Sequence, residues 1–183
     1  MAEHLDQPCV DPETDVDVKG AARTPAAGAI RTEVSGTTRI RRARVHDRAF
    51  LPAIWLRSVK ATHSFLRVED IDALLEPTTA YLGSDDVDLW ILADSSDAPV
   101  GFMGLAGGEV ESLFLAPEVH RRGEGRRLIQ HAADLRGELT VEVNEQNVGA
   151  VRFYEACGFR VEGRSDLDDE RRPFPILRMR RPA

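Results

Sequence analysis

Residues 109 to 128 read EVESLFLAPEVHRRGEGRRL, and this stretch decides the architecture. Glu109 to Leu115 reads as a strand, Pro117 ends it, and a helix begins near Gly125. Gly123 and Gly125 let the backbone approach a ligand and take positive φ. The first N–H groups of the helix lack partners within it and point out of its N-terminus, with the helix dipole behind them. Arg121, Arg122, Arg126 and Arg127 place four arginines within seven residues of an acidic chain. A pyrophosphate suits that environment. The same residues also suit a solvated, basic helix start. Two other phosphate loops are excluded. A Walker A loop ends Gly-Lys-Ser/Thr, whereas Gly125 is followed by Arg126, Arg127 and Leu128. A dinucleotide fingerprint needs a third glycine where Leu128 stands.

Upstream, Pro99–Ala106 and Val87–Ala93 read as strands joined by turn chemistry at Ser95-Ser96-Asp97, which predicts a hairpin. Before them, His46–Lys60 and Val68–Leu82 carry apolar residues near helical spacing, with Pro77 expected to break the second. Thr38–Arg44 reads as a first strand. Downstream come a helix over Gly125–Leu135, a strand over Glu138–Val143, a helix over Asn147–Cys157, and closing strands over Phe159–Gly163 and Phe174–Arg180. This order predicts an α/β domain whose sheet has parallel and antiparallel neighbours.

Residues 1–37 differ. They hold seven acids against three bases, which is −4 of the chain's net −7, and they contain no aromatic residue. Such a segment cannot bury enough apolar surface to offset its ordering entropy, so it reads as a disordered acidic tail before a folded domain at 38–183. The net charge argues against a nucleic-acid-binding domain. The longest apolar run, Leu89–Ala93, is far shorter than the roughly 20 residues a membrane helix needs, and the acidic N-terminus lacks a signal-peptide core. Cys9 and Cys157 have no metal-ligand spacing, so no metal site and a reducing, cytoplasmic setting are expected.

The second informative stretch is residues 144–159, NEQNVGAVRFYEACGF. Asn147 suits a helix N-cap, Gly158 suits the residue just past the helix end, and Tyr154 falls near the close of that helix. Alone, Tyr154 also suits a half-buried core position.

Together the two stretches resemble the GNAT superfamily of acetyl-coenzyme-A-dependent N-acetyltransferases. The family motif Gln/Arg-x-x-Gly-x-Gly/Ala is met by His120-Arg121-Arg122-Gly123-Glu124-Gly125, with His120 departing from the first position. The motif Asn-x-x-Ala-x-x-Phe-Tyr-x-x-x-Gly-Phe is met in full from Asn147 to Phe159. The resemblance covers roughly residues 39–180. Shorter matches, among them Ala53-Ile54-Trp55, Ala61-Thr62-His63 and residues 143–147, are similar to the bacterial YjaB-type branch, which is described as peptidyl-lysine N-acetyltransferases.

The resemblance implies a mixed, mostly antiparallel sheet with helices on both faces and acetyl-CoA as co-substrate. It places the pantetheine arm along Leu113, Phe114 and Leu115, with a backbone N–H, that of Leu115, polarising the acetyl carbonyl. It places the pyrophosphate on the amides from Arg121 through Arg122, Gly123, Glu124 and Gly125 to Arg126, with the His120 side chain as a further hydrogen-bond donor, and Asn147 against the pantetheine. Tyr154 becomes the general acid. The phenol, with a reference pKa of about 10, holds a proton at neutral pH to give to a thiolate. The base stays open among Glu109, Glu111 and His63, or a chain of water. Glu109 and Glu111 share a strand face by period 2, opposite Val110 and Ser112. Trp55, His63 and Phe65 line the expected acceptor cleft, with Phe174 from the closing strands, though Trp55 also suits a core position, and Asp166, Asp168, Asp169 and Glu170 read as a solvated acidic loop or as acids that attract a cation. The acceptor is an amine, of a protein or peptide lysine or of a small molecule. A CoA-binding module without turnover is the non-enzymatic alternative. Monomer and homodimer are both compatible with the sequence.

Overall fold

In the computed structural model, alternating apolar residues in β2 (Asp88–Ala93) supply both layers of core at once. Trp90 and Leu92 pack on one face of the sheet, and Leu89, Ile91 and Ala93 on the other. The structure describes residues 36–168 and 171–183. The expected disorder of 1–37 falls almost wholly outside them, as do Asp169 and Glu170 of the acidic loop.

The remaining elements are β1 (Arg39–Arg42), α1 (Leu51–Thr62), α2 (Val68–Gly83), β3 (Pro99–Ala106), β4 (Glu109–Leu115), α3 (Glu124–Arg136), β5 (Leu139–Asn144), α4 (Val148–Ala156), β6 (Arg160–Ser165) and β7 (Ile176–Arg181). Short 3-10 turns precede α1 at Val45–Phe50 and α3 at Pro117–Val119. The strands form a seven-stranded sheet in the order β1-β2-β3-β4-β5-β7-β6. Every pairing is antiparallel except β4 with β5. Helices α1 and α2 bury Leu51, Ile54, Trp55, Val59, Ile71 and Leu82 on one face. Helices α3 and α4 bury Leu128, Ile129, Ala132 and Tyr154 on the other. The expected mixed sheet with helices on both faces is what the chain forms.

Two expectations change. Pro77 does not break the second helix, because α2 runs through it to Gly83. Pro77 and Ala73, four residues before it, lie on the exposed side, so water can take the carbonyl that the missing N–H leaves free. The strand parity in β4 also shifts. Leu105 pairs with Val110 and Gly104 with Ser112, so Glu111 is an extra residue in a β-bulge. Ser112 therefore lies on the α1/α2 side together with Glu111, not opposite it.

Candidate active site

Parallel pairing of β4 with β5 covers only Glu109 with Thr140 and Val110 with Val141. Beyond the Glu111 bulge the two strands separate. Ala116 N donates to Val100 O of β3 at 2.9 Å, so by alternation the backbone groups of Leu113 and Leu115 face the opening between β4 and β5. A sheet that opens between parallel neighbours exposes donors and acceptors that an extended ligand can pair with.

At the far end of β4 the chain turns into α3. Arg121 and Gly123 take positive φ, 59° and 82°, and nothing lies within 4 Å of where a Cβ on Gly123 would stand. Arg127 N donates to Gly123 O at 3.1 Å, which leaves the amides of Glu124, Gly125 and Arg126 without a helical partner. The Glu124 carboxylate does not fill that place. It accepts from Thr38 Oγ1 at 2.8 Å and from Arg127 Nη1 at 2.6 Å. Arg121, Arg122 and Arg126 are exposed around the turn. The free amides, the open backbone and this charge fit an anionic phosphate group.

His120, the residue that departs from the family motif, is half-buried. Its Nε2–H donates to Leu115 O at 2.9 Å and pins the loop to the end of β4. An ion pair between Arg57 of α1 and Glu118 braces the same loop from the other side. Gly125 is buried where α3 meets α4. A Cβ there would stand 3.0 Å from Cε2 and Cζ of Phe153. Gly125→Ala is therefore expected to push the helices apart at a cost of about 1–3 kcal/mol and to displace the free amides. Thermal melting should fall by several degrees and acetyl-CoA affinity should weaken. An unchanged melting temperature and affinity would show that the contact is slack.

Asn147 is buried and caps α4, its Oδ1 accepting from Ala150 N at 3.1 Å. That leaves its Nδ2 for other partners, and Nδ2 lies 3.4 Å from Nε2 of His63 at the end of α1. The His63 ring stacks on Phe114 at 6.4 Å between centroids and lies 5.5 Å from Phe65. Phe65 in turn lies 6.4 Å from Phe174, over which the Arg172 guanidinium sits at 5.7 Å. The α1–α2 and β6–β7 loops thus meet in an aromatic wall. Trp55 is not part of it. It is 4% exposed and belongs to the core under α1 and α2. Of the acids expected to attract a cation, Asp166 is paired with Arg164 and Asp168 with Arg172 at 2.7 Å.

Tyr154 is buried between Phe153 and Phe159, at 5.1 and 5.3 Å. It belongs to the cluster against which Leu113 and Leu115 pack. Burial pushes its phenol well above the ordinary value, and the nearby Cys157 adds to the shift. Burial likewise raises the Cys157 thiol, so that residue is no activated thiolate. Glu109 is exposed beside Thr140. Glu111 accepts a hydrogen bond from the Tyr81 hydroxyl at 2.9 Å, and Ser112 Oγ lies 3.4 Å from the same hydroxyl. Burial chiefly pushes the Tyr81 phenol up to about 12, so it keeps its proton and donates. Sequence reasoning missed Tyr81. It lies 30 residues from Glu111, and only the α2-to-β4 packing joins them. Among the described residues no group of three His, Cys, Asp or Glu could hold a metal, and no helix is long and apolar enough to cross a membrane.

A mixed sheet opened between parallel strands, with a glycine-turned helix start at the mouth, defines an α/β domain with room for an extended anionic ligand. The acetyltransferase (GNAT) domain model matches residues 67–180. The peptidyl-lysine N-acetyltransferase YjaB of Escherichia coli K12 is 44% identical over 140 residues, covering 76% of this chain and 94% of that protein. The solution structure of apo-form YjaB from Escherichia coli superposes with a TM-score of 0.74 at 43% identity, covering 79% of this chain and 97% of that one. PaiA N-acetyltransferase from Thermoplasma acidophilum, solved in complex with coenzyme A, shares the fold at a TM-score of 0.67 and 20% identity, covering 81% of this chain and 100% of that one. The chain belongs to the GNAT family of acetyltransferases and is an N-acetyltransferase.

Proposed function

We propose that the protein transfers the acetyl group of acetyl-CoA to the ε-amine of lysine in a protein or peptide. The observation that carries this reading is the opening between β4 and β5 that ends on the free amides of α3. The names of the YjaB relatives support the acceptor, and the fold neighbour solved with coenzyme A supports the donor. The co-substrate supplies an acetyl group activated as a thioester, held on a phosphate-bearing handle.

The amides of residues 121–126 hold the pyrophosphate, with Arg121, Arg122 and Arg126 as its counter-charges. The backbone of Leu113, Phe114 and Leu115 pairs with the pantetheine arm, and the Leu115 N–H polarises the acetyl oxygen. His120 keeps the loop against β4, and Asn147 Nδ2 turns to the arm. His63, Phe65 and Phe174 flank the aliphatic stem of the lysine. Glu111, held by Tyr81, attracts its ammonium. Tyr154 gives its proton to the departing sulfur. The domain works in the cytoplasm, where thiols stay reduced.

The test is calorimetric titration with acetyl-CoA, followed by thiol release in the presence of lysine peptides, an intact protein and a panel of small amines. Binding with release stimulated by peptide or protein lysines is expected. Release stimulated only by small amines would overturn the acceptor assignment, and absence of binding would overturn the whole reading.

A further inference from the structure

The proton lost by the acceptor amine needs a receiver, and the sequence left it open. The structure separates the candidates. Glu109 is exposed where β4 still pairs with β5, and Glu111 already accepts from Tyr81. His63 sits differently. Its Nδ1 lies 2.8 Å from Thr62 Oγ1, and that hydroxyl donates to Ser58 O at 2.8 Å. Asn147 Nδ2 can only donate, its Oδ1 being taken by Ala150 N, so a neutral ring accepts at Nε2 and carries its proton on Nδ1, in keeping with the Thr62 hydroxyl donating to Ser58 O. Nε2 then carries a lone pair, and the Asn147 amide at 3.4 Å is the donor facing it. Ser58, Thr62, His63 and Asn147 form one chain with a fixed direction, joining α1 to the cap of α4. The Nε2 lone pair of that chain lies between Phe114 of β4 and the Asn147 cap that follows β5.

We propose that His63 is the base of the transfer, its Nε2 receiving the proton that the acceptor amine loses. The inference rests on the acetyltransferase reading above. When Asn147 turns its amide to the pantetheine arm, Nε2 is left open to the incoming nitrogen. The nitrogen–carbon bond forms as the carbon–sulfur bond breaks. The amine proton passes to Nε2, and the sulfur takes the Tyr154 proton. The imidazolium then gives its proton to solvent, and solvent restores the phenol.

The environment of His63 favours a neutral ring. Thr62 and Val59 of α1, Phe65 of the following loop, Phe114 of β4 and Asn147 of the α4 cap face it, and none carries charge. Burial lowers its pKa below the ordinary histidine value. The ring is therefore ready to accept a proton throughout the neutral range. Phe114 and Ser112 are successive same-face residues of β4, about 7 Å apart at strand rise. His63 lies over the first and Tyr81 over the second, so the ammonium-attracting carboxylate and the base occupy neighbouring stations along the strand.

Two measurements test the proposal. In the ligand-free protein, ¹⁵N imidazole spectra should show His63 protonated at Nδ1 and bare at Nε2. In turnover, His63→Gln should lose about 100-fold in kcat/KM, expressed per neutral amine, while calorimetric acetyl-CoA affinity is retained. Wild-type kcat/KM on that basis should rise to a plateau from an acid limb, because the protonated ring cannot accept. That limb should vanish in His63→Gln, and added imidazole should partly restore His63→Ala. An Nε2-protonated ring, or a His63→Gln enzyme with unaltered rate and pH profile beside an active wild type, overturns the proposal alone. A wild type that neither binds acetyl-CoA nor turns over overturns the acetyltransferase reading and this inference with it.

Discussion

Tyr154→Phe is expected to lower kcat by about 10³-fold while leaving acetyl-CoA affinity and fold stability intact. Tyr154 is buried. Its ring fills space between Phe153 and Phe159, and phenylalanine fills the same space. Among the described residues its hydroxyl has no hydrogen-bond partner, so its loss leaves no group stranded. Melting should stay level or rise slightly. Burial holds the phenol protonated far above neutral pH, so the wild-type residue keeps a proton that it can give across the working range. A thiolate leaving without that donor must wait for water. The combination separates chemistry from architecture, because a merely structural tyrosine would move stability before rate. A variant that keeps most of its kcat would remove Tyr154 from the mechanism.

The residues involved explain what the sequence made legible. The glycine turn before α3 and the cap of α4 are local devices. Gly123 needs its positive φ, Asn147 bonds a backbone amide three residues on, and neither depends on distant chain. Such features leave a linear signature, and so did the place of Tyr154 in α4. What was not legible comes from packing across long separations. His63 and Asn147 meet across 84 residues and Tyr81 and Glu111 across 30. The Glu111 bulge inverts the parity that period 2 assigned to Ser112, and no turn residue announces it. Trp55 illustrates the converse. Its neighbours in sequence resemble those of a cleft-lining segment, but helix α1 rotates it into the core, while the loop beyond its end carries His63 and Phe65 to the wall. Periodicity reports which face of an element is apolar, not which apolar residue borders a ligand.

Asp47→Ala is expected to destabilise the domain by about 3 kcal/mol at neutral pH, because it strands a largely buried cation. Asp47 has no exposed surface. Its carboxylate accepts Arg41 Nη1 at 2.6 Å, Nη2 at 2.9 Å and the Arg44 N–H at 2.7 Å. Arg41 is only 12% exposed and also donates Nε to Asp97 at 2.7 Å. One guanidinium thus ties β1 to the 3-10 turn before α1 and to the β2–β3 turn. Removing Asp47 leaves Arg41 with one carboxylate, Asp97, and the carbonyl of Arg42, so the loss stays near the lower end for a broken buried pair. For a chain of this size it corresponds to a fall of about 6–12 °C in Tm. The pH dependence follows from direction. Burial opposes ionisation of Asp47, but the Arg41 fork and the Arg44 amide outweigh it and hold the carboxyl below the usual range. A carboxyl depressed in the folded state stabilises fully above its unfolded value near 3.9, and that stabilisation is lost as pH falls through the folded value. Urea unfolding of wild type and variant should therefore differ most at pH 7 and converge as the pH is taken below about 4. A gap that persists undiminished in acid would assign the loss to packing, and equal stability at pH 7 would mean Asp97 suffices to hold Arg41. The same bridge anchors the start of α1, whose other end carries His63. Asp47→Ala should therefore reach the active site only by loosening that helix, with the loss of activity following the fraction unfolded.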